Sequence, residues 1–223
     1  MCGRYSLFSD IRIIEERFGE VTFDEDEYAP SYNIAPSQQI LTVINDGSKN
    51  RLGYLKWGLL PPWAKDPKVG FKMINARSET VHEKPSFRES FKKKRCLIVA
   101  DSFFEWKRTD HDKVPMLIKL KSGEPFAMAG LWETWKSSTG EPIHTCTILT
   151  TEPNELMSSI HDRMPVILKT EDEQTWLDSS IQDINQLQRL LLPFENNLLE
   201  AFEVSTMVNS PKNNSPAIIQ RVG

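Results

Sequence analysis

Cys2, Gly3 and Arg4 directly follow the initiator methionine. Trimming of Met1, usual when a small residue follows it, would leave Cys2 with an α-amine and a thiol two carbons apart. Reference pKa values near ~8 for the amine and ~8.5 for the thiol leave a useful fraction of each nucleophilic at neutral pH. Held on one residue, the two groups can attack a single aldehyde carbon in succession. The amine forms an imine, and the sulfur adds to it, closing a five-membered thiazolidine. An internal cysteine cannot do this. The competing reading is that Cys2 packs as a small apolar residue.

Three further stretches carry chemistry. In INARSET, an extended backbone puts Asn75 and Arg77 on one side, an amide and a guanidinium fork suited to sugar and phosphate oxygens. A turn held by Asn75 with a surface Arg77 accounts for the same spacing. In DSFFEW, strand alternation sets Glu105 on the face opposite Phe104 and Trp106, in solvent or in an internal cavity. A partly desolvated carboxyl there could donate and accept protons near neutrality. In SIHDRMP, His161 sits on a loop constrained by Met164-Pro165, where it could act as acid, base or phosphate partner. His82, His111 and His144 lack such a setting. WGLLPPWAKDPK offers Trp57 and Trp63 around Pro61-Pro62 as a ledge for stacking bases, with Lys65 and Lys68 beside it, or the edge of a core. The run Lys92 to Arg95 could contact backbone phosphates, although a charge run is usually a solvated face.

These residues must be positioned by a sheet. The 223 residues, 39% hydrophobic, suffice for one sizeable core and one domain spanning 1–223. SDIRIIEERFG reads as a helix capped by Ser9 or Asp10 and stopped by Gly19. QQILTVI and RLGYLKWGL flank NDGSKN as a hairpin, and further β-like runs are RCLIVADSFFEW, PMLIKL, PFAMAGLWETW, HTCTILT and MPVIL. Thr151 and Pro153 could open a short helix that delivers His161, and QDINQLQRLLLPF predicts a helix ending before Pro193. Three cysteines without a C-x-x-C pair encode neither a disulfide framework nor a zinc cluster. The absence of a leader-like or membrane-length apolar run predicts a cytoplasmic protein. The net charge of −4 leaves room for one local basic groove.

Taken in order, MCGRYS, YNIAPSQ, WGLLPPWA, INARSET, FFEWK, IHDRMPVIL and VSTMVNSPKNNSP resemble the SRAP family, the SOS-response-associated peptidase or abasic-site processing proteins. The resemblance covers Cys2 through Pro216. It implies a single α+β domain with a mainly antiparallel, partly barrel-like sheet decorated by short helices, and a cationic groove for single-stranded DNA. It implies that Cys2, freed of Met1, forms a thiazolidine crosslink with the ring-opened aldehyde of an abasic site, with lyase-type chemistry possible through the imine. On this resemblance Asn75 holds the opened sugar or the amine, Glu105 handles protons, and His161 contacts the phosphate side and assists proton transfer. Arg4 and Arg77 grip flanking phosphates, and Pro36, Trp63, Thr150 and Thr151 line the groove. No cofactor and no metal are expected, the partner is abasic single-stranded DNA, and the expected state is a monomer, nucleoid-associated when bound. The alternatives are an N-terminal cysteine peptidase that removes its own Met1, and a non-catalytic single-strand binder in which Cys2 only packs.

Overall fold

A computed structural model describes residues 2–222. In chain order the elements are β1 (Tyr5–Leu7), α1 (Ile11–Phe18), β2 (Glu20–Val21), β3 (Ser31–Ile34), β4 (Gln39–Asn45), β5 (Asn50–Trp57), β6 (Asn75–Arg77), α2 (Arg88–Lys93), β7 (Arg95–Ala100), β8 (Ser102–Arg108), β9 (Lys113–Leu120), β10 (Phe126–Lys136), β11 (Pro142–Thr151), α3 (Glu155–Ser158), β12 (Met164–Pro165), α4 (Thr170–Leu177), α5 (Ile184–Gln188) and β13 (Leu199–Glu203). Short 3₁₀ turns fill several connections.

Helix α1 forms as its sequence predicts: the Asp10 side chain accepts from the Arg12 amide, Ile14 and Phe18 face inward, and Gly19 at φ 124° ends it. The β4–β5 hairpin pairs from Gln39↔Lys56 to Asn45↔Asn50. Strands β11, β10, β7, β4 and β5 follow one another in the larger sheet, and a parallel pairing of Thr145 with Lys56 and Cys146 with Trp57 joins its ends, so these five strands close into a barrel. Most pairings are antiparallel, which gives the α+β fold with its mainly antiparallel, barrel-like core.

A second sheet runs β13-β9-β8-β1-β3. The run RCLIVADSFFEW supplies one strand to each sheet, and the break falls at Asp101. Its carboxylate accepts from the Phe8 amide (2.5 Å), the Ser9 amide (2.8 Å) and the Ser9 hydroxyl (2.5 Å), and this ties the crossing point to the end of β1. Strand β8 is then buried on both faces: Phe103 joins the main core, while Phe104 joins a smaller one with Leu117, Val204, Val208 and Ile218 from the C-terminal segment. Each such side chain contributes roughly 1.5–3 kcal/mol by leaving water.

Three local expectations are corrected. Helix α3 is capped by Asn154, whose side chain accepts from the Met157 amide, and not by Thr151 or Pro153. Helix α5 ends before Pro193 as expected, at Gln188 and so without Leu191, but only Met164–Pro165 of MPVIL pair as a strand. Trp57 is 1% exposed, with its indole donating to Ile74 O, so it belongs to the core and forms no ledge with Trp63.

Candidate active site

Strand β1 pairs with β8 through Tyr5↔Phe103 and Ser6↔Ser102, and the Arg4 carbonyl accepts from the Phe104 amide at 2.9 Å. Strand β8 continues to Arg108 beside β9, but β1 begins only at Tyr5. Beyond Arg4, therefore, no strand among the described residues pairs with the β1 side of β8, and Cys2 lies within reach of the Glu105 charge. A cleft of about 420 Å³ opens there, lined by Glu105, Trp106, Arg108, Lys113, His161 and Asn209. The unpaired edge lets side chains from both faces of β8 reach one space.

Glu105 faces inward, opposite Phe104 and Trp106 as alternation requires, and is 3% exposed. Burial raises its carboxyl above the ordinary range, opposed by the nearby His161. Cys2 is fully buried in the main core. Burial pushes its thiol well up, the Glu105 charge adds to this, and a hydrogen bond from the Arg4 backbone opposes it. With residue 1 still in the chain, burial therefore favours the neutral thiol. Met1, whose removal the aminothiol reading requires, lies outside the described residues.

His161 is carried by the turn that ends α3, its amide donating to Met157 O at 2.8 Å. The Arg163 amide points at Nδ1 (3.0 Å), which sets the proton of the neutral ring on Nε2. Nε2 lies 3.9 Å from Glu105 Oε2. Asp162, 87% exposed, lies 2.8 Å from Nδ1.

The end of β11 organises the rest. On one side it pairs in parallel with β6, Ile148↔Asn75 through Thr150↔Arg77, and on the other with β12, Thr150↔Pro165 and Thr151↔Met164. Asn75 and the His161 loop are thereby fastened to the same four residues. Asn75 Nδ2 donates to Ile74 O, while its Oδ1 is buried without a hydrogen-bond partner among the described residues, an acceptor placed for an incoming donor. Thr150 and Thr151 are buried (0% and 4%), and neither lines the cleft beside Glu105; Thr151 instead borders a separate cavity with Ser78, Glu79 and Gln188.

Arg163 was not singled out from sequence, yet it locks the junction. Its guanidinium forks onto Glu79 (2.6 and 2.9 Å) and donates to Thr150 O at 2.6 Å. The available signal was an arginine two residues after His161 and an acid two residues after Arg77. Arg4 is turned into the fold: Nη1 donates to Asn33 Oδ1 and Val208 O, and the group lies over Trp106 at 5.8 Å. Trp106 in turn donates to Asn209 Oδ1, and Asn33 donates to Val208, Ser210 and Asn213 carbonyls. The motif VNSPKNN thus supplies Asn209 to the cleft and is pinned by Arg4, Asn33 and Trp106. Arg77 is exposed and forms no ion pair among the described residues. Pro36 is half-buried, before Ser37 at φ 76°. Trp63 is 61% exposed, and Phe71 at 65%, missed in the sequence, stands on the same excursion between β5 and β6.

No group of three or more His, Cys, Asp or Glu among the described residues could hold a metal ion, and none of their helices is long and apolar enough to cross a membrane. The groups that do converge are a thiol at the chain start, a carboxyl held high by burial, an imidazole facing it and an open cleft rimmed by cations.

The sequence matches the family model described as SOS response associated peptidase (SRAP) over residues 1–211. It is 60% identical over 222 residues, 99% of both chains, to the abasic site processing protein YoqW of Bacillus subtilis (strain 168). It is 34% identical to the abasic site processing protein HMCES of Xenopus tropicalis, over 86% of this chain and 66% of that protein. A crystal structure of a protein from Bacteroides thetaiotaomicron superposes with a TM-score of 0.88 at 29% identity, covering 99% of this chain and 100% of that one. With near-complete coverage in sequence and in fold, this chain belongs to the SOS response associated peptidase (SRAP) family.

Proposed function

We propose that the protein processes abasic sites in DNA, capturing the ring-opened aldehyde in a single strand through the amine and thiol of Cys2 once Met1 is gone. The observation that carries this reading is the convergence of Cys2, Glu105 and His161 at the stretch of β8 that β1 leaves unpaired. The names of the relatives fit the same substrate.

The steps use groups already in place. Glu105 takes a proton from the terminal ammonium, and the freed amine adds to the aldehyde carbon. The resulting carbinolamine hydroxyl leaves as water, carrying the proton that Glu105 returns, and a C=N bond forms. Cys2 sulfur then adds to the same carbon. Its S–H proton passes to Glu105 as the C–S bond forms, and the ring nitrogen ends as a secondary amine, with one water lost overall. A buried carboxyl with a raised pKa suits this double duty, because it gives and takes a proton at little cost near neutrality. His161 Nε2, facing Glu105, resets its protonation, and Asn75 Oδ1 accepts from the amine or the opened sugar. A neutral thiol is no handicap here, because the amine attacks first and the carboxylate removes the sulfur's proton only when the imine is ready.

The test mixes purified protein with an abasic single-stranded oligonucleotide and resolves the products on a denaturing gel. A shifted band is expected, and Cys2→Ala should leave only an imine that borohydride can trap. Peptide cleavage without DNA would favour an N-terminal cysteine peptidase, and a shift seen only on native gels and untouched by Cys2→Ala would favour a plain binder.

A further inference from the structure

Glu105 and His161 occupy one part of the 420 Å³ cleft, and the remaining lining is almost wholly hydrogen-bond donors. Arg108 and Lys113 are the last register pair of the β8–β9 hairpin, directly opposite each other, so their side chains leave the same face. Like charges in this position repel and are destabilising unless something sits between them. Neither forms an ion pair with a carboxylate among the described residues. Asp110 and Asp112 of the connecting turn stay out of ion-pair reach, and the Asp112 backbone is occupied with Thr109. Asn209 completes the set. Its Oδ1 is taken by the Trp106 indole at 2.7 Å, so only its amino group remains to face the cleft.

We infer that Arg108, Lys113 and the Asn209 amide form a clamp for one phosphodiester of the strand whose sugar is captured. This rests on the capture reading above and adds to it a requirement for a charged phosphate at a fixed distance from the aldehyde. The clamp is a positioning device: a strand gripped there presents its neighbouring sugar to Glu105 and the chain start, and the wrong-sign repulsion across the hairpin is relieved when the anion enters. Sequence independence follows, because every phosphodiester is alike.

Single-turnover capture across DNA concentration and salt tests this. Neutralising one cation that contacts a phosphate should lower the slope of log affinity against log salt by about 0.7, and raise the half-saturating DNA concentration about four-fold at 0.15 M salt. Arg108→Gln and Lys113→Gln should each do so with the plateau rate held within about two-fold, the pattern of lost binding that the ground state and transition state share. Arg108→Lys should keep the salt slope. Lys121→Gln is the control, because Lys121 lies eight residues along from Lys113, past the far end of β9, about 26 Å away. A neutral methylphosphonate placed on either side of the lesion in turn should weaken the native protein on one side only, and should not further weaken a variant carrying both Arg108→Gln and Lys113→Gln. Half-saturation and salt slope matching the native protein in both Gln variants, or changes no larger than in Lys121→Gln, would overturn the clamp while leaving capture intact. Absence of capture by the native protein would instead overturn the reading on which the clamp rests.

Discussion

Glu105 is 3% exposed, and burial holds its carboxyl above the range of an unfolded chain. Between the two values the native state binds the extra proton, so stability falls as pH rises through that window. Glu105→Gln removes the penalty and should raise Tm near neutral pH by about 2–4 °C, the effect of about 1 kcal/mol in a domain this size. The same change should slow capture by about 10²-fold or more while leaving DNA binding in place. It should also abolish the acidic limb of the pH–rate profile, where the native rate climbs as Glu105 ionises. A gain in stability paired with a loss of rate is the signature of a strained functional group, and unchanged capture would remove Glu105 from the mechanism. His161→Ala should slow formation or release of the crosslink by about ten-fold, and equal rates in both directions would return it to a purely structural role. At this scale the sequence was informative where the rule is local. Alternation alone set Glu105 against Phe104 and Trp106. The burial of Cys2 matches the competing reading that it packs as a small apolar residue, a choice that its position alone left open because the packing depends on strands that arrive tens of residues later.

Two elements show how a local pattern can mislead. Arg95 ends the basic run that reads as a solvated face, yet it is 3% exposed and donates to the carbonyls of Phe91, Lys92, Trp176, Asp178 and Ile181. It joins the end of α2 to the end of α4, satisfying carbonyls that helix termini leave open. Arg95→Ala strips these carbonyls of a charged partner inside the fold and should cost about 3 kcal/mol or more, read as a Tm lower by at least about 6 °C. Capture at low temperature should persist, because the residue touches no part of the cleft. The excursion between β5 and β6 is the second case. It is closed at its base by Gly58, at φ 126°, packed on Gly70, where an added Cβ would lie 2.8 Å from the Gly70 carbonyl oxygen. Gly58→Ala should therefore displace Trp63 and Phe71 and weaken binding of single strands by about 1–3 kcal/mol, the worth of one stacked base. A melting curve accompanies that measurement, and loss of affinity with no change in Tm would mean that only the excursion has moved. The glycine was visible in WGLL, but its reason, a backbone crossing twelve residues away, was not.

The whole molecule carries a net charge of −4, while Arg77, Arg108 and Lys113 are exposed around the site. An acidic body with a confined cationic cleft predicts weak reversible binding that falls steeply with salt, whereas the covalent product, once formed, should survive 1 M salt unchanged. The barrel-like sheet and its mainly antiparallel order were anticipated from short alternating runs and from family resemblance. Barrel closure was not readable in either run, since it is made by the parallel pairing of β5 with β11, some ninety residues apart in sequence. The long-range pairings of β11 with β6 and β12 bring Asn75, Thr150 and the His161 loop to one end of β11, and the Arg163–Glu79 pair forms only where that end is assembled. The central claim is that the captured carbon is bonded to both the nitrogen and the sulfur of a freed Cys2, and intact mass of the protein–oligonucleotide product tests it most directly. The account predicts the chain without Met1 plus the abasic oligonucleotide minus one water, with Cys2 as the modified residue on fragmentation. A product that retains Met1, or one joined through any other side chain, would contradict it.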